Sequence, residues 1–422
     1  MRKIAFLGLL TWTAFAATPS SVTFHKDVLP ILQNRCQECH REGEVGPFAL
    51  MNYQQARPLA KSIKEAVLTK KMPPWFADPQ FGHFSNDASL TKQEIETISA
   101  WVDGGAKEGN PTDAPKPREF FTGWLIGKPD VVLTFPKPID VPAEGVVEYT
   151  YVVVPTGFTE DKWVQLAEAR PGSRAVMHHV IAFIRPPGSR WMMDAEPGVP
   201  FIPKKGRNAQ DQIPPELLVG YAPGLPPTEC KPGQAKLVKA GSDLVLQLHY
   251  TPNGKATTDQ TKIGLTFAKE EVQERVMTMN AMNVFLKIPP GDANYESKAQ
   301  TTLKQDVKLV SLMPHMHYRG KDFLYTAVYP TGETQVLLNV PHYDFNWQLG
   351  YMEKEQMLLP KGTRIECIAH HDNSVNNKYN PDATKEVRWG DQTWEEMMIG
   401  WFDVAFDAKL DPNRKTLQGG SE

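Results

Sequence analysis

Leu309-Val-Ser-Leu-Met-Pro-His315-Met-His317-Tyr-Arg-Gly320 is the stretch on which the fold reading turns. Read as a strand, its two-residue period puts His315 and His317 on one face with both imidazoles aimed at one point, as in a chelating pair. On a solvated strand the same spacing would carry no role. The chelating reading gains weight because other histidines in this part of the chain are also grouped. They are His178 and His179 in Ala175-Val-Met-His-His-Val-Ile-Ala-Phe183, and His249 in Leu244-Val-Leu-Gln-Leu-His-Tyr250. Working outward, short β-branched and aromatic runs bounded by Gly, Pro, Asn and Asp predict strands at 131–135, 149–154, 162–166, 244–250, 262–267, 308–312, 323–329 and 397–405. That is more than one sandwich needs, so two antiparallel β-sandwiches are expected, with a seam near residues 268–280.

Alternation assigns faces within these strands. Leu244, Leu246 and Leu248 point to a core, leaving Gln247 and His249 on the outward face. Adjacent His178 and His179 diverge on a regular strand, so joint ligation requires a bend or a strand end there. Near the C-terminus Met397, Ile399, Trp401 and Asp403 share one face, and Met398, Phe402, Val404 and Phe406 the other. One of the two methionines must therefore leave the core. A thioether beside two imidazoles suits Cu(I) and holds zinc poorly, whereas three histidines alone fit zinc or copper equally. A zinc hydrolase is disfavoured, because neither histidine pair has a neighbouring Asp or Glu to act as general base. His370-His371-Asp-Asn-Ser-Val-Asn-Asn is expected as a polar loop ordered by side-chain to backbone hydrogen bonds.

With 422 residues the chain is expected to form two or three domains. A net charge of −3 and the lack of a basic run argue against nucleic acid as partner. Residues 1–17 read as a signal peptide: Arg2-Lys3, an apolar run over 4–12, and Ala14-Phe-Ala16 as a small-x-small cleavage site, with an uncleaved anchor as the alternative. No later run is long enough to span a bilayer, so a soluble periplasmic or otherwise exported protein is expected, ending in a polar tail at 411–422.

Residues 18–110 carry a helical pattern and are expected to form a small all-α domain. Val28, Ile31 and Leu32 recur at helical spacing before Cys36, and Thr91-Lys-Gln-Glu94 reads as a capping box for a helix stopped by Gly104-Gly105. Cys36-Gln-Glu-Cys39-His40 is the attachment signature of a c-type haem, with two thioethers and a histidine on iron. A redox dithiol is the competing reading; it would want a βαβ setting and gives His40 no role. Met72, before two prolines that hold its backbone extended, is the first candidate for the sixth iron ligand, ahead of His83 and Met51. The segment resembles single-haem cytochrome c domains through Met72-Pro-Pro-Trp75 and Trp101-Val-Asp-Gly-Gly-Ala106, which implies electron transfer. The Pro-rich residues 111–124 read as a semi-rigid linker. Cys230 and Cys367 remain as a possible disulfide in an oxidising compartment.

The order of motifs over residues 125–408 resembles the ascorbate-dependent copper type II monooxygenases, which include the peptidylglycine hydroxylating and dopamine β-monooxygenases. A histidine pair comes first, then His-Tyr after Leu-Gln-Leu, then His-x-His with Gly three residues on, and finally Glu-Met. The resemblance implies an electron-relaying copper on His178, His179 and His249, and an oxygen-activating copper on His315, His317 and Met397. It also implies two jelly-roll-like sandwiches, here 125–270 and 271–410, with the coppers facing each other across a water-filled cleft. Where the peptide-amidating members have an arginine, an asparagine and a tyrosine around a peptide carboxylate, this chain has Met313, Ile399 and Trp401. A buried carboxylate would lack partners there, so a small apolar substrate is expected. Met398 stands where the family has a cysteine, which deprives Cys367 of the family's partner. The expected function is C–H hydroxylation with O2, fed with electrons by the fused haem, whose own donor is ascorbate or a redox protein. The alternative is a non-catalytic copper and haem relay or redox sensor.

Overall fold

The computed structural model describes residues 22–42, 44–120, 123–203 and 216–410, so the expected signal peptide and polar tail lie outside the described residues. Helices precede residue 114, and named strands begin at Val131–Thr134; the chain is mostly β. The helices Leu29–Arg35, Ala60–Leu68 and Lys92–Asp103 share one core of Phe24, Val28, Leu32, Ile63, Ile98 and Trp101. The predicted capping box forms: Glu94 N donates to the Thr91 hydroxyl, and the Glu94 carboxylate accepts from Thr91 N.

This helical unit does not stand apart on a linker. Trp75 packs at 4.9 Å from Tyr351 and 6.0 Å from Phe84, Asp78 N donates to Asn339 O at 2.8 Å, and the Asn86 amide bridges Gly350 O and Met352 N. Its 75–86 segment thus lies on the C-terminal half. The expected linker also returns to the helices, where Arg118 bonds Gln33 O and the Glu38 carboxylate. Apolar burial at Trp75 and the paired charges outweigh the extended preference of a Pro-rich run.

Each predicted strand forms, with ends shifted by a few residues. In the first β half, the sheet of Thr150–Pro155, Asp243–Tyr250, Met177–Arg185 and Glu216–Tyr221 faces Val131–Thr134, Lys262–Phe267, Lys162–Arg170 and Gln234–Val238. Val152, Val164, Val180, Leu246 and Ile263 fill the space between. In the second, Tyr295–Thr302, Arg364–His371, Gly320–Val328 and Thr334–Val340 face Glu274–Met282, Ile399–Asp407, Val307–His315 and Tyr351–Leu359 around Met279, Leu309, Phe323, Tyr325 and Phe402. The pairing is not wholly antiparallel. Gln234–Val238 runs parallel to Glu274–Met282, which joins the two halves through one nine-stranded sheet. The junction is polar: Arg275 pairs with Glu216 at 3.0 Å, and the buried Lys236 ammonium donates to Thr278 Oγ1 at 2.8 Å and to Asp403 at 3.3 Å.

The proposed Cys230–Cys367 bridge does not form, and both are buried free thiols. Cys230 packs with Val276 and Ala405, whereas Cys367 lies in the core holding Val404 and Phe406. Ala405 and its two neighbours point to opposite faces of one strand, so the sheet itself separates the sulfurs.

Candidate metal centres

The divergence expected of His178 and His179 is resolved by a β-bulge. Met177 pairs with Tyr250 and His179 with His249, leaving His178 as the extra residue on its strand. The bulge turns both imidazoles to one side, with their Nδ1 atoms 3.3 Å apart and His249 at 4.7 and 5.1 Å between ring centroids. One donor atom from each of the three lies within 4.8 Å of the others. His249 occupies the predicted non-core face, but that face is covered and the ring is buried. Gln247 shares the face: its Oε1 lies 3.3 Å from His179 Nε2 and its amide donates to the Tyr151 hydroxyl. Held there, His179 keeps Nδ1 toward the centre, while His178 Nε2 and His249 Nδ1 are buried without a hydrogen-bond partner among the described residues. Burial pushes His178 down to about 4, and carries His179 and His249 well below the ordinary histidine range, so all three are neutral with lone pairs free for a metal.

At the second group the strand Val307–His315 ends at its own histidine, so His317 stands just past the strand rather than on it. Alternation nonetheless continues: Met316 enters the core, and the rings of His315 and His317 meet at 5.3 Å and 90°. His315 Nδ1 lies 2.8 Å from Gln348 Oε1 and His317 Nδ1 lies 3.4 Å from Glu395 O, which leaves each ring its Nε2; that of His317 is buried without a partner. Both rings are held below the ordinary range by burial. Met313 pairs with Trp401 and His315 with Ile399, where the ladder ends; His317 follows it by two residues on one chain segment and Met397 precedes it by two on the other. Met397 packs with Met282, Ile399 and Trp401, while Met398 enters the opposite core, so Met397 is the methionine that leaves it.

Glu396 ties this group together. Its buried carboxylate accepts from the backbone N–H groups of His317, Arg319 (3.0 Å) and Met397 (2.9 Å), so one side chain fixes both the histidine turn and the methionine strand. Burial raises it to about 7, and its oxygens are taken by backbone donors, which leaves it poorly placed as a general base. His370 and His371 end a strand rather than open a loop, and beyond them the expected ordering is present. Asn377 donates to Tyr318 O and Asp372 O, and Asn373 to Pro289 O and Lys385 O.

The two groups face each other, with aromatic rings beside both. Tyr149 lies 4.4 Å from His249 and 6.2 Å from His317; Phe345 stacks on His178 at 4.7 Å and lies 6.0 Å from His317. His179 and His315 line one cavity of ≈ 90 Å³ together with Tyr221, Met313, Trp401 and Asp403. Tyr149, Phe345 and Gln348 went unread in the sequence; Glu396 was read only as the residue before Met397, without its role.

In the helical unit, Cys36 and Cys39 are free and half-buried. His40 stacks on Phe48 at 4.9 Å with Nδ1 3.1 Å from Phe48 O, contacts that orient the ring. Gly46 closes the loop through its N–H to Cys39 O at 2.9 Å, and a Cβ there would sit 2.6 Å from that oxygen and 2.9 Å from His40 Nδ1. Met72 is half-buried at the end of the Ala60–Leu68 helix, its N–H on Ala66 O at 3.2 Å; Met51 is also half-buried. His83 is exposed, and its carbonyl accepts from Lys354 N at 2.8 Å, which places it on the C-terminal half.

No protein-family model and no curated protein matches the chain. Among solved structures it is similar to a chain of the infectious bursal disease virus Gx strain at 8% identity, over 67% of this chain and 73% of that one. The TM-score is 0.16, too low to carry an argument.

Proposed function

We propose that the chain is an exported copper-dependent monooxygenase that inserts one atom of O2 into a C–H bond of a small apolar substrate, with a fused c-type haem as electron donor. In this reading residues 18–110 are a cytochrome c-like domain, and 125–270 and 271–410 are jelly-roll-like copper domains of the ascorbate-dependent family. The observation that carries it is the pair of facing groups of neutral imidazoles, each with a buried nitrogen that has no hydrogen-bond partner among the described residues. A buried polar atom left so costs about 1–3 kcal/mol, which a bound metal removes.

Copper, when bound, supplies one-electron redox chemistry at each group and the site of O2 activation at the second. The residues do the rest. His178, His179 and His249 offer three nitrogens; His315, His317 and Met397 add a sulfur that favours Cu(I). Gln247 and Gln348 fix ring tautomers, Tyr149 and Phe345 pack against the imidazoles, and Met313 and Trp401 give the cavity an apolar wall.

One observation favours a second reading, a non-catalytic electron relay: the cavity of ≈ 90 Å³ leaves little room for substrate. Met397→Ala separates the two. With copper and haem loaded, a monooxygenase loses O2 consumption by more than about a hundredfold while haem reduction is unchanged. A relay keeps its electron flux, and a protein that loads no copper is neither.

A further inference from the structure

The Cys-x-x-Cys-His loop is not free to sample the rest of the protein. Glu44, four residues past His40, makes an ion pair with Arg174, which leads into the Met177–Arg185 strand that carries the histidine pair. Both side chains are largely shielded from water. Glu44 also binds Arg41 at 3.1 Å, and Arg41 bonds Glu38, so the loop presents a shaped charge partner rather than a single exposed carboxylate. The Arg174 guanidinium in turn lies 5.7 Å from the centre of the Tyr221 ring.

Tyr221 occupies a particular place. It ends the Glu216–Tyr221 strand and pairs directly with Val180, the residue after His179. It also lines the cavity that His179 lines. Its phenol is half-buried and pushed up to about 12, chiefly by burial; Arg174 opposes that rise while Glu44 and Cys39 add to it, so it is neutral at physiological pH. Arg174 thus joins the Glu44 carboxylate to the Tyr221 ring, and His179 is one backbone pairing and one peptide bond beyond.

Resting on the haem and copper reading above, we infer that the Glu44–Arg174 pair docks the haem loop on the first β half, and that Tyr221 is the contact through which each electron reaches the His178–His179–His249 group. The transfer moves one electron, oxidising ferrous haem to ferric and reducing Cu(II) to Cu(I); no proton and no bond is exchanged. Arg174 is a positioning residue. Tyr221 supplies the packed path.

The test uses the full chain. In the metal-free protein, hydrogen exchange over residues 36–46 reads docking alone: Arg174→Glu sets two carboxylates against each other and removes protection, and Arg174→Glu with Glu44→Lys recovers part of it. In protein loaded with haem and copper, reoxidation of ferrous haem by Cu(II) without O2 is followed by stopped flow. Tyr221→Leu and Arg174→Glu are expected to slow it by about tenfold or more, and Tyr221→Phe, which keeps the ring, by much less. Unchanged unfolding midpoints and copper spectra identify these as effects on the path. If both cofactors load and the wild type transfers, but Tyr221→Leu and Arg174→Glu transfer at its rate, the inference is overturned and the function stands. If the wild type itself does not transfer, both fall.

Discussion

The two histidine groups reach similar chemistry by different structural means. The first is assembled by a backbone irregularity: a single extra residue at His178 brings three imidazoles from two adjacent strands within 4.8 Å. The second is assembled at a strand end from three separate segments, with Gln348 and Glu396 holding what the backbone does not. In the proposed reading, a donor set built into a ladder would hold its geometry, as a relay needs. One supported by side chains has an adjustable geometry, which suits a site that must admit other ligands.

The largest expected effect tests whether the groups are separate sites. His249→Ala and His317→Ala should each lower copper from two to one per chain, seen in metal content and in the loss of one of two copper EPR signals. Loss of both coppers from either change would make them one site. Next, Glu396→Ala strands three buried backbone N–H groups, at about 1–3 kcal/mol each. Thermal unfolding should fall sharply and copper should leave only the second group, whereas Glu396→Gln, which keeps an acceptor, should be milder; equal loss at the first group would break the contrast. Smaller still, Gln247→Leu and Gln348→Leu should each weaken copper by about 10- to 100-fold at their own group alone.

The smallest effect concerns Glu353, where the 75–86 segment meets the second half. Burial lifts its carboxyl from 4.5 to about 7. Below 4.5 folded and unfolded chains are both protonated; between 4.5 and 7 only the folded chain keeps the proton. Stability from this group therefore declines as pH rises through that window and is flat above it. Glu353→Gln should raise the unfolding midpoint by a few degrees at pH 8 and leave it unchanged at pH 4. An equal gain at both values would assign the effect to something other than ionisation.

Much of this was legible because it obeys local periods. The strands, the capping box, the shared face of Gln247 and His249, and the exit of one of Met397 and Met398 from the core all follow from spacings of two or about four residues. What escaped was set by distant parts of the chain. The bulge at His178 lies in its pairing with the Asp243–Tyr250 strand, and His249 is buried with Tyr149 and, from the second half, Phe345 beside it. Tyr149 and Phe345 are remote in sequence from the rings they touch, and the charged strand Tyr351–Leu359 has no clean alternation. The docking of residues 75–86 was invisible for the same reason: Trp75 and Tyr351 meet across 276 residues of separation, by subtraction of their numbers.

The parallel pairing of Gln234–Val238 with Glu274–Met282 has a practical corollary for anyone dissecting the gene. Expressing either half alone would strip a strand of its neighbour and bare Lys236, Arg275 and Glu216 without their counter-charges. Such fragments would precipitate through their raw sheet edges. Truncations should therefore spare everything from residue 125 to 410.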